Sequence, residues 1–356
     1  MKILYGVVGE GMGHAIRSKV VIERLLSWGH EVEIVVSGRA HDYLKTRFEG
    51  VHRIWGLTMA MEDNRVSKLS TALEVIKGAA TGWPENVRRY FEMTDGFEPD
   101  VVISDFETWS ALYGHNNRLP VICLDNIQAV RRLKHPPEIL RGRKSEWRLT
   151  KGIIKAKIPT ADHYLIISFF EVPTKRDRTT LVPPILRPEI LAAQPGEGDH
   201  VLVYQTSESF KELPEVLSQF DVPFRVYGLR RDLQAPVVEG NLTFCPFSEA
   251  GFIEDLASCR GVIASAGFTL IGEALHLGKP YLATPVRGQF EQIMNARYIE
   301  HLGYGLQDED LDESTVRAFL NNLGTFRQNL EGYPRQDNEA MFEQLQAQLD
   351  KAVARV

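Results

Sequence analysis

The stretch Gly261-Val262-Ile263-Ala264-Ser265-Ala266-Gly267-Phe268-Thr269-Leu270-Ile271-Gly272-Glu273 decides how the rest of the chain is read. It runs from a short apolar segment, through small residues, into a helix that continues with Ala274, Leu275 and Leu277. Gly278-Lys279-Pro280 stops that helix, and Tyr281-Leu282-Ala283-Thr284 reads as a second strand. A loop over 286–289 then leads to a second helix bearing Glu291, Gln292 and Asn295. A small-residue turn between strand and helix exposes backbone N–H groups at the positive end of the helix dipole, which suits a phosphate. Thr269 and Glu273 are four residues apart and share one helix face. A phosphate at Gly267, Phe268 and Thr269 therefore leaves the Glu273 carboxylate about one turn further on, able to accept from two ribose hydroxyls. The next strand delivers Gln289, Glu291 and Gln292 to the same sheet edge, where ligands of open α/β sheets collect. An ordinary βαβ unit with a short glycine turn fits the same residues.

The run SAGFTLIGEALHLGKPYLATPVRGQFEQIMNA, residues 265–296, resembles the donor-binding signature of GT-B glycosyltransferases. It is most similar to that of the bacterial lipid II N-acetylglucosaminyltransferases and the natural-product and plant-type UDP-glucosyltransferases. The resemblance implies that Gly267, Phe268 and Thr269 hold the donor diphosphate and Glu273 the ribose. It also implies that Gln289, Glu291 and Gln292 meet the transferred sugar.

Length and composition fit this. A chain of 356 residues exceeds one typical core and predicts two domains. The hydrophobic content of 44% and charged content of 25% are those of a globular protein. No run reaches the length of a membrane-spanning helix, and the N-terminus enters a strand at once, so no signal peptide is expected. Cys123, Cys245 and Cys259 are scattered and odd in number, which predicts a cytoplasmic protein without a disulfide frame or structural zinc. A net charge of −6 argues against nucleic acid as a partner.

The N-terminal half opens as a βαβ unit: a strand over 2–8, the loop Gly9-Glu10-Gly11-Met12-Gly13-His14, and a helix over 16–28. The glycines do not space as G-x-G-x-x-G, and the second strand ends without a ribose-binding acid, so a dinucleotide site is not expected. The loop resembles the acceptor-side loop of GT-B enzymes. Gly11, Met12 and Gly13 would then shape the acceptor side and His14 would be the catalytic base; otherwise His14 packs or caps near the helix start. Helices are predicted over 41–48, 64–77 and 85–93. The segment PDVVISD, residues 99–105, ends a strand in an acid and resembles the plant-type motif whose aspartate orients the catalytic histidine. Asp105 fills that role or caps the following helix, with Asp125 the second candidate.

Residues 131–157 hold ten basic residues against two acids, a net of +8, with Trp147, Leu149, Ile153 and Ile154 interleaved. An anionic membrane surface, an acidic acceptor, a nucleic-acid backbone and a plain solvated face all fit such a stretch. The segment 179–188, with Pro183, Pro184 and Pro188, reads as an interdomain linker and resembles the lipid II enzymes' linker. Arg187 would there approach the diphosphate. In the second half, Ser207 follows a strand and either meets the phosphates or caps a helix over 208–217. Phe247 and Ser248 resemble the turn that reads the nucleotide base.

The expectation is therefore an α/β protein of the GT-B fold, two Rossmann-like domains facing an interdomain cleft. An acceptor domain spans 1–183 and is joined by a C-terminal helix over 338–356; a linker spans 184–199 and a donor domain 200–337. The expected activity is inverting, metal-independent transfer of a hexose-type sugar from a UDP-sugar to an acceptor hydroxyl on a lipid or membrane-associated molecule. No cofactor beyond the UDP-sugar co-substrate is expected. The expected location is the cytoplasm, peripheral to the inner membrane face through residues 131–157. The alternatives are a nucleotide-sugar 2-epimerase of the same fold, a transferase acting on a soluble or acidic acceptor, and a binding module organised on the basic segment.

Overall fold

A computed structural model describes residues 1–9, 11–56, 61–62, 65–66, 82, 84–158, 160–205 and 213–354. The chain divides into two compact units. The first comprises Met1–Ala60, Ser67–Arg187 and Asp337–Val356; the second comprises Met61–Val66 and Pro188–Gln336.

The first unit is built on seven parallel strands, β1 (Lys2–Val7), β2 (Glu31–Val36), β3 (Val51–Arg53), β4 (Val101–Asp105), β5 (Val121–Asp125), β6 (His163–Ile167) and β7 (Thr179–Val182). Their order is β3-β2-β1-β4-β5-β6-β7. β4 and β5 are buried along their whole length, as continuous apolar runs covered on both faces must be. The order reverses between β1 and β4, so the topological switch point lies there, with Val7 opposite Asp105. The helices α1 (Met12–Ser27), α2 (Thr108–Asn116) and α3 (Lys144–Lys157) belong to this unit. α2 seats directly on β1 at Gly6, where an added Cβ would lie 1.9 Å from Ser110 Oγ.

The second unit repeats the plan with β8 (Val201–Tyr204), β9 (Phe224–Tyr227), β10 (Val237–Glu239), β11 (Leu242–Cys245), β12 (Val262–Ala264), β13 (Tyr281–Ala283) and β14 (Gly305–Gln307). The order is β10-β11-β9-β8-β12-β13-β14, parallel except for β10 at the edge. Its switch point lies between β8 and β12. The helices α4 (Glu249–Ser258), α5 (Phe268–His276) and α6 (Phe290–His301) belong to this unit. Its core gathers Val201, Val203, Phe224, Phe244, Ile263 and Phe319.

The last helix, α7 (Glu339–Val353), belongs to the first unit, where it packs against β6 and β7 and buries Met341, Phe342, Leu345 and Leu349. Arg24 of α1 lies 4.4 Å over the Phe342 ring and pairs with Glu339. Buried Asn338 donates to Leu186 O at 2.8 Å and accepts from Leu186 N at 2.8 Å.

Several expectations need correction. Thr179–Val182 is not linker; it pairs in parallel with β6 as the edge strand of the first sheet. The boundary between the two units, from Arg187 to Pro188, falls inside the expected linker 184–199. Ile185, Leu186 and Arg187 are buried at the end of the first unit, and Pro188–Ala192 forms a helix of the second. Arg65–Val66 pairs antiparallel with Met61–Glu62 rather than opening a helix, and residues 67–81 lie outside the described residues. The helix expected over 208–217 is described only as Leu213–Leu217. No helix among the described residues is long and apolar enough to cross a membrane. Gly6→Ala is expected to lower stability by about 1–3 kcal/mol in a urea titration, because α2 has no room to retreat; an unchanged midpoint would show that the contact is slack.

Candidate active site

In the first unit, the chain geometry brings together two residues 91 positions apart. β1 leads through a glycine loop into α1. Gly11 occupies the N-cap with φ 86°, a conformation natural to glycine, and provides no side-chain cap. His14 sits in the first turn of α1, and Asp105 ends the neighbouring strand. His14 Nδ1 lies 2.9 Å from Asp105 Oδ1. Asp105 is fully buried and collects further donors: Arg17 Nε at 2.8 Å and Ser18 Oγ at 3.1 Å reach Oδ2, and Arg17 Nη2 reaches Oδ1. Arg17 Nη1 donates to Asn126 Oδ1 just beyond β5, and Nη2 lies 2.7 Å from His14 Nδ1.

The cap reading of Asp105 does not hold. Glu107 caps α2, its carboxylate accepting from Trp109 N at 2.8 Å and Ser110 N at 2.6 Å. Asp125 is not bonded to His14 either. Its Oδ1 accepts from Gln128 N at 2.7 Å, while its Oδ2 and both side-chain amide atoms of Gln128 are buried without a partner. Phe106, directly after Asp105, holds φ 53°, a strained conformation for a bulky residue, and Lys157 Nζ sits 4.6 Å over its ring.

The electrostatics match this geometry. Burial alone would raise Asp105, yet the Arg17 and His14 charges and hydrogen bonds hold it well below the usual carboxylate range. Burial and then Arg17 push His14 below its ordinary value, against the pull of Asp105. Asp125 is pushed up to about 7, by burial first and with Asp105 adding to it. With the Nδ1 proton given to Asp105, His14 presents a bare Nε2 that can accept a proton.

In the second unit, β12 runs through Ser265 and Ala266 to Gly267, the N-cap of α5, which makes no side-chain cap. Among the described residues, an added Cβ at Gly267 would find only Ser265 Oγ, at 3.9 Å, which leaves room for a ligand against the backbone. Phe268 and Thr269 form the first turn, and Glu273 is buried one turn on. Tyr281 OH donates to Ser265 O at 2.7 Å and steadies the turn. Gln289 is the N-cap of α6, its Oε1 accepting from Gln292 Nε2 at 2.8 Å, while Gln292 Oε1 accepts from Val286 N at 3.0 Å. Asn295 joins the two halves: its Nδ2 lies 3.1 Å from Ala266 O and 2.7 Å from Glu291 Oε1. The structure thus brings Gly267, Gln289, Glu291 and Gln292 into one connected region. Ser248 caps α4, its hydroxyl accepting from Gly251 N at 3.2 Å, and the Phe247 ring beside it is 73% exposed. Arg187 is buried at the last position of the first unit, and Ser207 lies outside the described residues.

A family model for glycosyl transferase family 1 matches residues 1–324. The chain belongs to this family. It is a glycosyltransferase, and its fold is GT-B. An uncharacterized glycosyltransferase of Methanosarcina mazei is 25% identical, covering 98% of this chain and 95% of that one. A Legionella pneumophila UDP-N-acetylglucosamine–N-acetylmuramyl-(pentapeptide) pyrophosphoryl-undecaprenol N-acetylglucosamine transferase is 30% identical over 149 residues, 40% of this chain and 39% of that one. The crystal structure of the kitacinnamycin glycotransferase superposes with a TM-score of 0.64 at 17% identity, covering 94% of each chain.

Four residues of the transferase's candidate sites escape the sequence reading as site residues: Arg17, Ser18, Asn126 and Asn295. Three carry a usable signal, since Arg17 and Ser18 are three and four residues from His14 on one helix and Asn295 is four from Glu291. Among the described residues, no group of three His, Cys, Asp or Glu side chains is arranged to hold a metal ion. Asp125 yields a prediction. A carboxyl that binds its proton more tightly when folded stabilises the fold fully below its ordinary 3.8 and loses that contribution as pH rises to about 7. Asp125→Asn is expected to match wild type in thermal midpoint near about pH 4 and to exceed it near about pH 8; equal midpoints at the higher pH would contradict this.

Proposed function

We propose that this glycosyltransferase moves a hexose-type sugar from a UDP-sugar to an acceptor hydroxyl, with inversion at the anomeric carbon and without a metal ion. The observation that carries the reading is the His14–Asp105 contact at the switch point of the first sheet. In this mechanism His14 Nε2 takes the hydroxyl proton as the acceptor oxygen bonds to the anomeric carbon from the face opposite the nucleotide. The bond from that carbon to the diphosphate oxygen breaks, its electron pair leaving with UDP. Asp105 keeps the His14 ring aimed and offsets the charge it gains. The leaving diphosphate is met by backbone N–H groups at Gly267, Phe268 and Thr269, with Arg187 and Ser207 assisting. Glu273 takes the ribose, Phe247 and Ser248 the base, and Gln289, Glu291 and Gln292 the sugar. The donor named for the Legionella pneumophila relative supports a UDP-sugar here.

The same reading gives the basic helix a use. Leu149 and Ile153 are exposed on α3, one turn apart, on a helix that also carries Arg148 and Lys155. Such a face suits the interface of an anionic bilayer, which would bring a lipid-borne acceptor to the enzyme.

Four experiments test these points. His14→Ala is expected to lower kcat by about 10²–10⁴-fold while UDP still raises the thermal midpoint as in wild type; normal turnover would end the base assignment. Glu273→Ala is expected to abolish the UDP-induced shift instead. Incubation with UDP-sugar alone separates transfer from epimerisation, because an epimerase needs no acceptor. For α3, Leu149→Ser with Ile153→Ser is expected to reduce co-sedimentation with vesicles of anionic lipid. Wild type, in turn, should not sediment with purely zwitterionic vesicles.

A further inference from the structure

We propose that Arg17 is a positioning residue for the transfer: one guanidinium group holds Asp105 and His14 together and keeps the ring uncharged, with Nε2 left for the acceptor proton. This rests on the reading of His14 as the base.

The geometry carries it. Arg17 is 3% exposed, and all three of its nitrogens are engaged. Nε and Nη2 form a fork on the two Asp105 oxygens and Nη1 reaches Asn126; with the ring proton on Nδ1 directed at Asp105, Nη2 stands 2.7 Å from Nδ1 as a neighbouring positive charge and not as a hydrogen-bond donor to it. One side chain of α1 therefore ties the ends of β4 and β5 to the helix that bears the base. His14 Nδ1, Asp105 Oδ1 and Arg17 Nη2 form a closed triangle. A ring turned over by half a rotation would present a carbon to Asp105 Oδ1 and lose that hydrogen bond.

The charge pattern gives the arrangement its chemical meaning. A lone histidine–aspartate pair favours imidazolium, because the carboxylate attracts the second proton. Such a pair holds the second proton to higher pH than a free imidazole does. Here the Asp105 charge is countered before His14 feels it. Three charged groups act on the ring: Arg17 from α1, Asp105 from β4 and Lys157 from α3. Asp125 from β5 and Tyr5 from β1 act on Arg17. Burial opposes imidazolium first, the two cations add to it and the one anion favours it, so the ring is held below its ordinary value. Asp105 remains in place to steady the ring as the proton arrives.

The test uses the full chain with 15N-labelled histidine. The chain has ten histidines, and the His14 signal is the one missing in His14→Gln. Arg17→Met is expected to move the His14 titration to higher pH. The acid limb of UDP-glucose or UDP-N-acetylglucosamine hydrolysis, with water as acceptor, is expected to move in the same direction. The thermal shift with UDP should stay as in wild type. Arg17→Lys keeps the charge but not the fork; its His14 titration should stay near that of wild type, while kcat falls about 10²-fold with KM for the donor unchanged. If Arg17→Met binds UDP normally and His14 titrates as in wild type, the proposal is overturned. If Arg17→Met does not fold, Arg17→Lys decides alone: wild-type kcat overturns the proposal, and loss of kcat at constant KM sustains it. Full hydrolysis by His14→Gln would instead defeat the base assignment, and the titration in Arg17→Met would still report whether Arg17 governs the ring.

Discussion

A negative charge buried at the end of a central strand is the constraint on which the first unit depends. Asp105 has no access to water, and an unpaired carboxylate there would cost several kcal/mol. Its partners all come from one helix: His14, Arg17 and Ser18 lie within the first two turns of α1. That requirement fixes how α1 leaves the sheet, and so explains why the loop before it needs Gly11 in a left-handed conformation. The geometry of the candidate site and structural necessity coincide here. The group that holds the histidine is also the group that cannot be left alone.

The two units share a design but use it differently. Each has a reversal of strand order at its centre, and each places its chemistry on the turn that follows a strand beside that reversal. The first unit arms its turn with a side-chain network. The second leaves its turn bare of a side-chain cap at Gly267, with the Asn295 amide 3.1 Å from Ala266 O. Proton removal needs a tuned side chain. Holding a diphosphate needs spaced N–H groups and room for the ligand.

Much of this was legible in the sequence. The apolar strands, the glycine turns and the acid ending PDVVISD fixed the two-sheet plan, and the Ser265–Ala296 pattern pointed to the family. The readings that failed share a cause. Thr179–Val182 looked like linker because Pro183 and Pro184 follow it, yet an edge strand needs only one pairing face and tolerates such neighbours. Asp105 looked equally good as a helix cap, because one residue in isolation does not reveal that Glu107, two further on, takes that duty. Arg17 was hidden for the opposite reason. An arginine on an amphipathic helix is ordinarily solvated, and only its burial beside a carboxylate from a distant strand sets it apart.

The double hydrogen bond between Asn338 and Leu186 bears on how the chain is made. The first unit is discontinuous: its last helix follows about 150 residues that belong to the second. On the ribosome, residues 188–336 are therefore synthesised before α7 emerges, and the N-terminal unit is the last to be closed. Until Asn338 arrives, the Leu186 backbone and the apolar edge along β6 and β7 wait uncovered. For this chain the usual order, in which the earlier domain finishes first, runs backwards.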